Sequence, residues 1–318
     1  MWRSLNTLCT ESSTVRTSFL SRLAGIGVAV AATVTTLAVP AAQAQTCPAV
    51  VVVAARGSGQ NGHIYPTRYS GQEPFASNGW EGETIRAMLH TVESRYRATH
   101  GGQSVMRDVY VLGLSPQDYP ATYPEYTVPN VAVPQSLPEV ISIAQQWTIP
   151  VINTGIRVAQ EFFASVGTGR SGVMRAIDGY ERASGCRPQY ILTGFSQGAM
   201  ILAEHERDLA ARGQLAGVVY MGSPNTAAGD PFTVGNTTGW GGILGWWPFN
   251  NTVASRATVN RVNYCLPLDG VCDISRENLE AARAAGGGNH GRYFLWGSQW
   301  DAHVADQVGR WVDQVRFR

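Results

Sequence analysis

The fold is decided by the stretch Tyr190-Ile-Leu-Thr-Gly-Phe-Ser-Gln-Gly-Ala-Met-Ile-Leu202. An apolar run leads into a Gly-x-Ser-x-Gly pattern centred on Ser196, and a run that permits a helix, residues 199–209, leads out of it. Glycines two residues on either side of the serine allow a sharp turn, which leaves the serine exposed above the end of a strand. The N-terminus of the following helix then points at the serine. The stretch therefore predicts a nucleophile elbow.

Apolar runs at residues 49–55 and 215–221 predict further strands that are buried on both faces of a sheet. Two more strands are predicted at residues 109–113 and 259–264. Helical spacing of apolar residues marks 80–96, 140–180 (with a break expected near Gly167-Thr-Gly169) and 300–315. Strands that alternate with helices predict a mostly parallel, doubly wound sheet with helices on both faces. No internal repeat and no second domain is expected.

Two segments do not fit this alternation. Residues 115–138 hold six prolines and three tyrosines, which predicts an extended segment on the surface. Residues 225–257 read as a long irregular insertion, whose glycine-rich part carries the aromatics Trp240, Trp246, Trp247 and Phe249. Two interpretations of these aromatics stay open. They form a lid or a lipid-contacting surface, because tryptophan suits half-wet interfaces, or they pack onto the domain itself.

The N-terminus has the composition of an export signal. Arg3, Arg16 and Arg22 precede an apolar run at residues 23–39, and an Ala-x-Ala cleavage pattern ends at Ala44. We expect residues 1–44 to be a signal peptide and 45–318 to be the mature domain. The alternative is an uncleaved membrane anchor, since the apolar run approaches the length of a short span. Either way the folded part lies outside the cytoplasm, secreted or associated with the cell envelope.

Composition excludes several kinds of chemistry. All 24 basic residues are arginine, so a Schiff-base lysine, a Walker A lysine and a Ser-Lys dyad are all excluded. With residues 1–44 removed, 21 basic and 22 acidic residues remain, and no basic stripe predicts nucleic-acid binding. No His-Glu-x-x-His motif and no histidine cluster at ligand spacing is present, so neither a metal site nor a cofactor is expected.

Four cysteines remain after the predicted signal is removed: Cys47, Cys186, Cys265 and Cys272. An even number in an exported chain predicts two disulfides, and four cysteines allow three pairings. Cys265 and Cys272 are close enough in sequence to staple one short loop. The remaining pair would tie the mature N-terminus to the segment just before the elbow.

A serine nucleophile needs a base that takes its proton and an acid that orients the base. On a sheet of this type the acid and then the histidine follow the serine in sequence. His205 lies in the helix that leaves the elbow, and helix geometry carries it away from Ser196. His290 lies in a glycine-flanked loop that is free to reach over the sheet edge. His303 lies in the last amphipathic helix, where a histidine is more often structural, but it remains the alternative base.

Five local motifs in this order resemble the cutinase family. They are the elbow with Gln197 after the serine, Arg56-Gly-Ser58 after the first strand, and Cys265-Leu-Pro-Leu-Asp269-Gly-Val-Cys272. The others are the spacing of Cys47 and Cys186 and the segment His290-Gly-Arg-Tyr293 with Gly297. The long segments at 115–138 and 225–257 exceed what compact members of that family need.

The resemblance implies a three-layer α/β-hydrolase fold and a serine esterase. Ser196 would be the nucleophile, His290 the base and Asp269 the acid that orients it, with Ser58 and Gln197 donating to the oxyanion. It also implies disulfides Cys47–Cys186 and Cys265–Cys272. No cofactor is needed, and nothing requires more than a monomer. The implied substrates are lipid or polyester esters. An acetylxylan-esterase-like deacetylase is the enzymatic alternative, and a catalytically silent envelope-binding protein is the alternative of another class.

Overall fold

The computed structural model describes residues 47–123, 137–235 and 238–318, with the side chains of 137–156 excepted. These residues lie within one compact unit, Gln45–Arg318. The predicted signal peptide and residues 124–136 of the predicted extended segment lie outside the described residues, so both interpretations stay predictions. Among the described residues of that segment, 115–123 contain turns and no strand or helix, whereas 137 and 138 lie in a helix, which corrects the predicted end of the segment.

The centre of the molecule is a sheet of six strands whose pairings are all parallel. In chain order the strands are β1 (Val50–Ala55), β2 (Val109–Gly113), β3 (Gln189–Phe195), β4 (Leu215–Met221), β5 (Thr233–Gly235) and β6 (Arg261–Cys265). Their spatial order is β2-β1-β3-β4-β6-β5. The predicted doubly wound parallel sheet is confirmed. The three-residue edge strand β5 was not expected, because it lies inside the irregular insertion.

Helices cover both faces of the sheet. The described helices are α1 (Gly82–Thr99), α2 (Leu137–Ser184), α3 (Gln197–Ala203), α4 (Glu206–Ala211), α5 (Arg276–Ala284) and α6 (Asp301–Arg316). Alternate residues of β1 enter two separate cores, since successive side chains of a strand point to opposite faces. Val50, Val52 and Ala54 pack with α1 and α6, and the residues between them pack with α2, α3 and α4. None of the described helices is long and apolar enough to cross a membrane.

Helix α2 is 48 residues long and runs without interruption through Gly167 and Gly169. The predicted break is therefore wrong. Two glycines in this helix serve close packing instead of a turn: a Cβ on Gly169 would lie 2.8 Å from Ile201, and one on Gly172 would lie 1.9 Å from the carbonyl oxygen of Asp118. The glycines let a neighbouring helix and a loop approach the backbone of α2.

The helix that leaves the elbow is divided into α3 and α4 by a turn at Glu204 and His205. The sequence indicated one run through residues 199–209, so the division is a correction. The buried Glu206, just after the turn, forms an ion pair with Arg261 of β6. Helix α5 was also missed, although Ser275 caps it by accepting a hydrogen bond from the amide of Asn278, a typical N-cap pattern.

Both implied disulfides are present. Cys47 and Cys186 join the entrance of β1 to the segment between α2 and β3, across 139 residues. Cys265 and Cys272 close a short loop at the end of β6. Each bond therefore fixes a segment that leads to or from a central strand.

The carboxyl ends of four parallel strands meet at one edge of the sheet. The Arg56-Gly-Ser58 turn follows β1, Ser196 follows β3, Gly222 follows β4, and the loop with Asp269 follows β6. In open α/β sheets this edge is where ligands bind. The topology thus collects most of the predicted site residues in one place.

Candidate active site

Ser196 sits on a sharp turn between β3 and α3. Its φ is +52° and its ψ is −120°, which is unusual for a residue with a Cβ and marks local backbone strain. A Cβ on Gly194 would lie 2.5 Å from the Cα of Ala199, and one on Gly198 would lie 2.0 Å from the carbonyl oxygen of Ala55. Both glycines are therefore required for the helix to pass this close to the sheet, as the motif predicted.

The serine, the loop histidine and the stapled aspartate form a continuous chain of hydrogen bonds. His290 Nε2 lies 2.8 Å from Ser196 Oγ. His290 Nδ1 lies 3.0 and 2.9 Å from the two carboxylate oxygens of Asp269. With Nδ1–H donating to the carboxylate, Nε2 is the lone-pair nitrogen that can accept the serine proton.

Asp269 is fully buried and receives two hydrogen bonds besides that of the histidine. The amide of Val271 donates to Oδ1 at 2.8 Å, and the hydroxyl of Tyr293 donates to Oδ2 at 2.5 Å. Burial, and then the negative charge of Asp269, raise the pKa of Tyr293 well above its ordinary value. Tyr293 therefore stays a donor throughout the neutral and moderately alkaline range. These donors compensate a carboxylate that has been removed from water.

The position of Asp269 is fixed by the short loop that the Cys265–Cys272 disulfide closes. The Tyr293 hydroxyl also accepts a hydrogen bond from the amide of Leu266 in this loop, at 3.0 Å. On the opposite side, a Cβ on Gly222 would lie 2.8 Å from Cε1 of His290 and 3.0 Å from Oδ2 of Asp269. A glycine at the end of β4 thus leaves the space that the imidazole occupies.

Gln197 is the first residue of α3, so its amide lacks an acceptor within the helix. Its side chain points away from the serine into the core. Its Oε1 accepts from the hydroxyls of Tyr119 and Ser165, each at 2.9 Å, and its Nε2 donates to the carbonyl of Phe162 at 3.3 Å. The side chain therefore ties the start of α3 to α2, and only the backbone N–H remains for a ligand beside Ser196.

Ser58 lies on the turn after β1 and lines the same cleft as Ser196. Arg56 holds this turn from beneath. Its buried guanidinium donates to the carbonyls of Leu114 and Tyr119 at 2.5 and 3.1 Å, and to the side chain of Asn61 at 2.7 Å. Burial lowers the pKa of Arg56. The turn is therefore anchored by an internal arginine, and Ser58 is left at the surface of the cleft.

The other two downstream histidines lie away from the serine. His205 bonds the carboxylate of Asp208 at 2.9 Å and the carbonyl of Arg170 at 2.7 Å. His303 is exposed on α6, where its nearest polar partner is Gln307 at 3.4 Å. Of the three candidates, His290 is the one that contacts Ser196.

An open cleft of about 840 Å³ surrounds Ser196 and His290. One wall comes from a single face of α2 and the facing loops, and it is apolar. The polar part of the lining comes from the turn after β1 and the first turn of α1. The apolar wall consists of Val158, Ala159, Phe162, Phe163, Ile243 and Val271, and the polar part consists of Ser58, Gln60 and Glu83. A ligand with an apolar chain next to a reactive polar group matches this lining.

The aromatic side chains of the insertion are exposed. The exposed fractions of Trp240, Trp246, Trp247 and Phe249 are 65, 67, 49 and 86%. Trp246 and Trp247 touch edge to face, with ring centroids 5.3 Å apart. Ile243, from the same loop, lines the cleft. Exposure of this extent favours a contact surface over packing onto the domain, although Trp247 and Phe249 also lie beside Ala203 and Arg207.

Within residues 47–123, 137–235 and 238–318, no three histidine, cysteine, aspartate or glutamate side chains are grouped as metal ligands would be. The prediction that no cofactor is needed stays a prediction.

Sequence reasoning missed two residues of the site. Tyr293 belonged to the quoted His290-x-x-Tyr segment, but no role was assigned to it. Gly222 was not singled out, although a glycine directly after a buried strand is a signal of close approach. Neither contact is visible from spacing alone, because each joins segments that lie far apart in the chain.

Comparison with solved structures finds chains that match most of this chain at low identity and with TM-scores below 0.5. The catalytic core domain of an acetyl xylan esterase from Trichoderma reesei is 16% identical with a TM-score of 0.43, covering 85% of this chain and 99% of that chain. A cutinase-like protein from Cryptococcus sp. is 17% identical with a TM-score of 0.41, covering 86% and 95%. Lysin B from Mycobacteriophage D29 is 15% identical with a TM-score of 0.35, covering 86% and 90%. No protein-family model matches the sequence, and no curated protein matches it.

Proposed function

We propose that this chain is an exported serine esterase that hydrolyses carboxylic esters of the lipid or polyester type. The observation that carries the proposal is the hydrogen-bonded chain from Ser196 through His290 to the buried Asp269. A serine on a strained turn, a histidine within 2.8 Å and a carboxylate on the other ring nitrogen are the arrangement that nucleophilic catalysis needs.

In the proposed reaction, Ser196 Oγ attacks the ester carbonyl while its proton passes to Nε2 of His290. The imidazolium that forms is stabilised by Asp269, and the oxyanion is held by the Gln197 amide and by Ser58. The tetrahedral intermediate collapses when His290 returns the proton to the departing alkoxide, which leaves an acyl-enzyme and an alcohol. A water activated by His290 then releases the acid and regenerates Ser196. No cofactor takes part.

The lining of the cleft supports an apolar acyl group. Phe162 and Phe163 of α2 and Ile243 of the insertion offer an apolar wall beside the serine. Each buried methylene of an acyl chain contributes about 0.8 kcal/mol of transfer free energy. An acyl group longer than acetyl can bury its methylene groups against this wall and gain this free energy. An acetyl group has no methylene to bury.

The test is the hydrolysis of 4-nitrophenyl esters from acetate to palmitate by the mature chain, with the Ser196→Ala variant as control. We expect kcat/KM to rise from acetate to esters of intermediate length and turnover to vanish in the variant. Strict preference for acetate would contradict the lipid or polyester assignment and favour a deacetylase.

A further inference from the structure

The cleft around Ser196 has an uneven charge. Glu83 is the one carboxylate among the described residues that line it, and no arginine lines it. The other titratable side chains in the lining are His290 and Tyr123. In a chain with 24 arginines and almost balanced charge, a cleft of about 840 Å³ whose described lining residues include no arginine is a specific local composition.

The neighbouring sequence does not supply a cation either. Residues 124–156, whose side chains are not described, contain two glutamates and neither arginine nor histidine. The arginines near the cleft in sequence either contact other groups or are absent from the lining. Arg56 donates to buried carbonyls, Arg292 stacks on Trp296 at 4.3 Å, and Arg157 is exposed outside the lining.

Glu83 is connected to the turn that carries Ser58. Gln60 Nε2 lies 3.5 Å from Glu83 Oε1 and donates to Thr84 Oγ1 at 2.6 Å, while Gln60 Oε1 accepts from the amide of Gly57. The nearest group able to carry positive charge is His63, whose Nε2 lies 3.8 Å from Glu83 Oε2 and whose side chain is 71% exposed. The side chain of Glu83 lines the cleft and is itself 43% exposed.

We propose that Glu83 makes the cleft selective for uncharged esters, an inference that rests on the proposed function. A negative charge on the acyl or the alcohol part of a substrate would meet the Glu83 carboxylate beside an apolar wall, where repulsion is less screened than in bulk water. Phospholipids and half-esters of dicarboxylic acids are then poor substrates. Neutral acylglycerols and the internal ester bonds of polyesters are good ones.

The test compares two esters that differ by one charge, 4-nitrophenyl methyl suberate and 4-nitrophenyl hydrogen suberate, whose chain is too long for the free carboxylate to attack its own ester through a small ring. We expect the wild-type kcat/KM to favour the neutral ester about tenfold beyond the ratio of their hydroxide-catalysed rates. Glu83→Gln keeps the acceptor for Gln60 and removes the charge, so this ratio should fall about three- to tenfold. The matched control Glu277→Gln removes an exposed charge of α5 outside the lining and should leave the ratio unchanged.

A wild-type enzyme without this preference, or a ratio that Glu83→Gln does not change, would overturn the inference. Binding separates this failure from failure of the proposed function. In the Ser196→Ala variant at pH 8, hexanamide should have a lower Kd than hexanoate. Adding Glu83→Gln should bring the two Kd values closer together. If Ser196 proves unreactive, the proposed function fails, while equal binding of amide and acid would overturn the selectivity of the cleft.

Discussion

At the scale of single residues, the site depends on how Asp269 is held. The carboxylate is completely buried, and donors from Val271, His290 and Tyr293 surround it. A buried charge of this kind is tolerated only when its acceptor positions are filled. The same donors fix the carboxylate at the distance and angle that the imidazole needs. Orientation of His290 is thus prepared by the Val271 amide and the Tyr293 hydroxyl, two groups that take no part in the reaction themselves.

Replacing Tyr293 with Phe should impair turnover more than binding. The change removes one hydrogen bond to a charged group, worth about 1.5–3 kcal/mol, so we expect kcat to fall about tenfold or more and KM to change little. The carboxylate would then attract the imidazolium more strongly, which moves the acid limb of the kcat/KM profile to higher pH. Steady-state kinetics from pH 5 to 9 check this.

A purely structural role for Tyr293 predicts something different. In that case Tyr293→Phe would lower the unfolding midpoint while the surviving folded enzyme kept its kcat and its pH profile. Active-site titration of the variant separates the two outcomes, since it counts the competent molecules.

Sequence reasoning works well for residues with a motif and poorly for residues that act through contact. Ser196 was identifiable because the glycines of its turn are a local requirement of the backbone. The choice between His290 and His303 was not settled by spacing, since both could reach the sheet edge. The pairing of Tyr293 with Asp269 depends on where two distant segments pack, which no local pattern records.

At the scale of elements, helix α2 shows how a glycine signal can mislead. Gly167, Gly169 and Gly172 look like helix breakers, yet all three lie in one helix. Glycine costs only about 1 kcal/mol in a helix relative to alanine, and packing of Gly169 and Gly172 against Ile201 and Asp118 outweighs that cost. The helix continues because tertiary contacts override propensity.

Two glycine substitutions in α2 should therefore have opposite effects. A Cβ on Gly172 would lie 1.9 Å from a backbone oxygen, whereas nothing lies within 4 Å of a Cβ on Gly167. We expect Gly172→Ala to destabilise the chain by about 2 kcal/mol or more and Gly167→Ala to stabilise it by about 0.5–1 kcal/mol. Urea unfolding followed by tryptophan fluorescence measures both. Equal effects of the two changes would contradict the packing explanation.

The exposed aromatic loop carries the next prediction. Trp246 and Phe249 are among its most exposed side chains, and neither is in the lining of the cleft. We expect Trp246→Ser/Phe249→Ser to weaken adsorption to neutral-lipid emulsions about tenfold or more, because about 150–250 Å² of apolar surface per ring no longer enters the interface. Activity on a soluble short-chain ester should change little.

The control for this experiment is an exposed aromatic elsewhere, Phe317 at the end of α6. Phe317→Ser should leave adsorption unchanged. If it weakens adsorption as much as the loop double variant does, binding is non-specific and the loop has no special role in contacting lipid.

At the scale of the whole molecule, one disulfide joins two segments that lie far apart in the sequence. The Cys47–Cys186 disulfide spans 139 residues and joins the first strand to the segment that precedes β3. The second disulfide, Cys265–Cys272, spans seven residues and closes the loop that contains Asp269. One bond restricts the unfolded chain globally, and the other fixes a loop of the site.

Removing the two bonds should have different consequences. In the chain-entropy description, Cys47→Ser/Cys186→Ser costs about 5 kcal/mol of unfolding free energy, whereas Cys265→Ser/Cys272→Ser costs about 2–3 kcal/mol. The second variant should nevertheless lose more kcat, because the loop that holds Asp269 is released. Denaturant midpoints and kcat of the folded variants, measured at low temperature, test the two statements. A larger loss of kcat from the first variant would contradict them.

The architecture as a whole was accessible from sequence because buried parallel strands leave continuous apolar runs. Elements without a continuous or periodic apolar pattern could not be predicted from the sequence. The edge strand β5 is three residues long and half-buried, and helix α5 is polar on most of its surface. Neither has the apolar periodicity from which the other elements were predicted. The exposure of the aromatic loop likewise could not be derived from composition, since Trp and Phe serve cores and surfaces alike.

The most direct test of the central claim, that His290 activates Ser196, is labelling of the mature chain with a fluorophosphonate probe followed by peptide mapping. We expect one adduct on Ser196, fast labelling in the His303→Ala variant and at least hundredfold slower labelling in the His290→Ala variant. Folded protein that fails to label at Ser196, or that loses labelling through His303→Ala and keeps it in His290→Ala, would contradict the account.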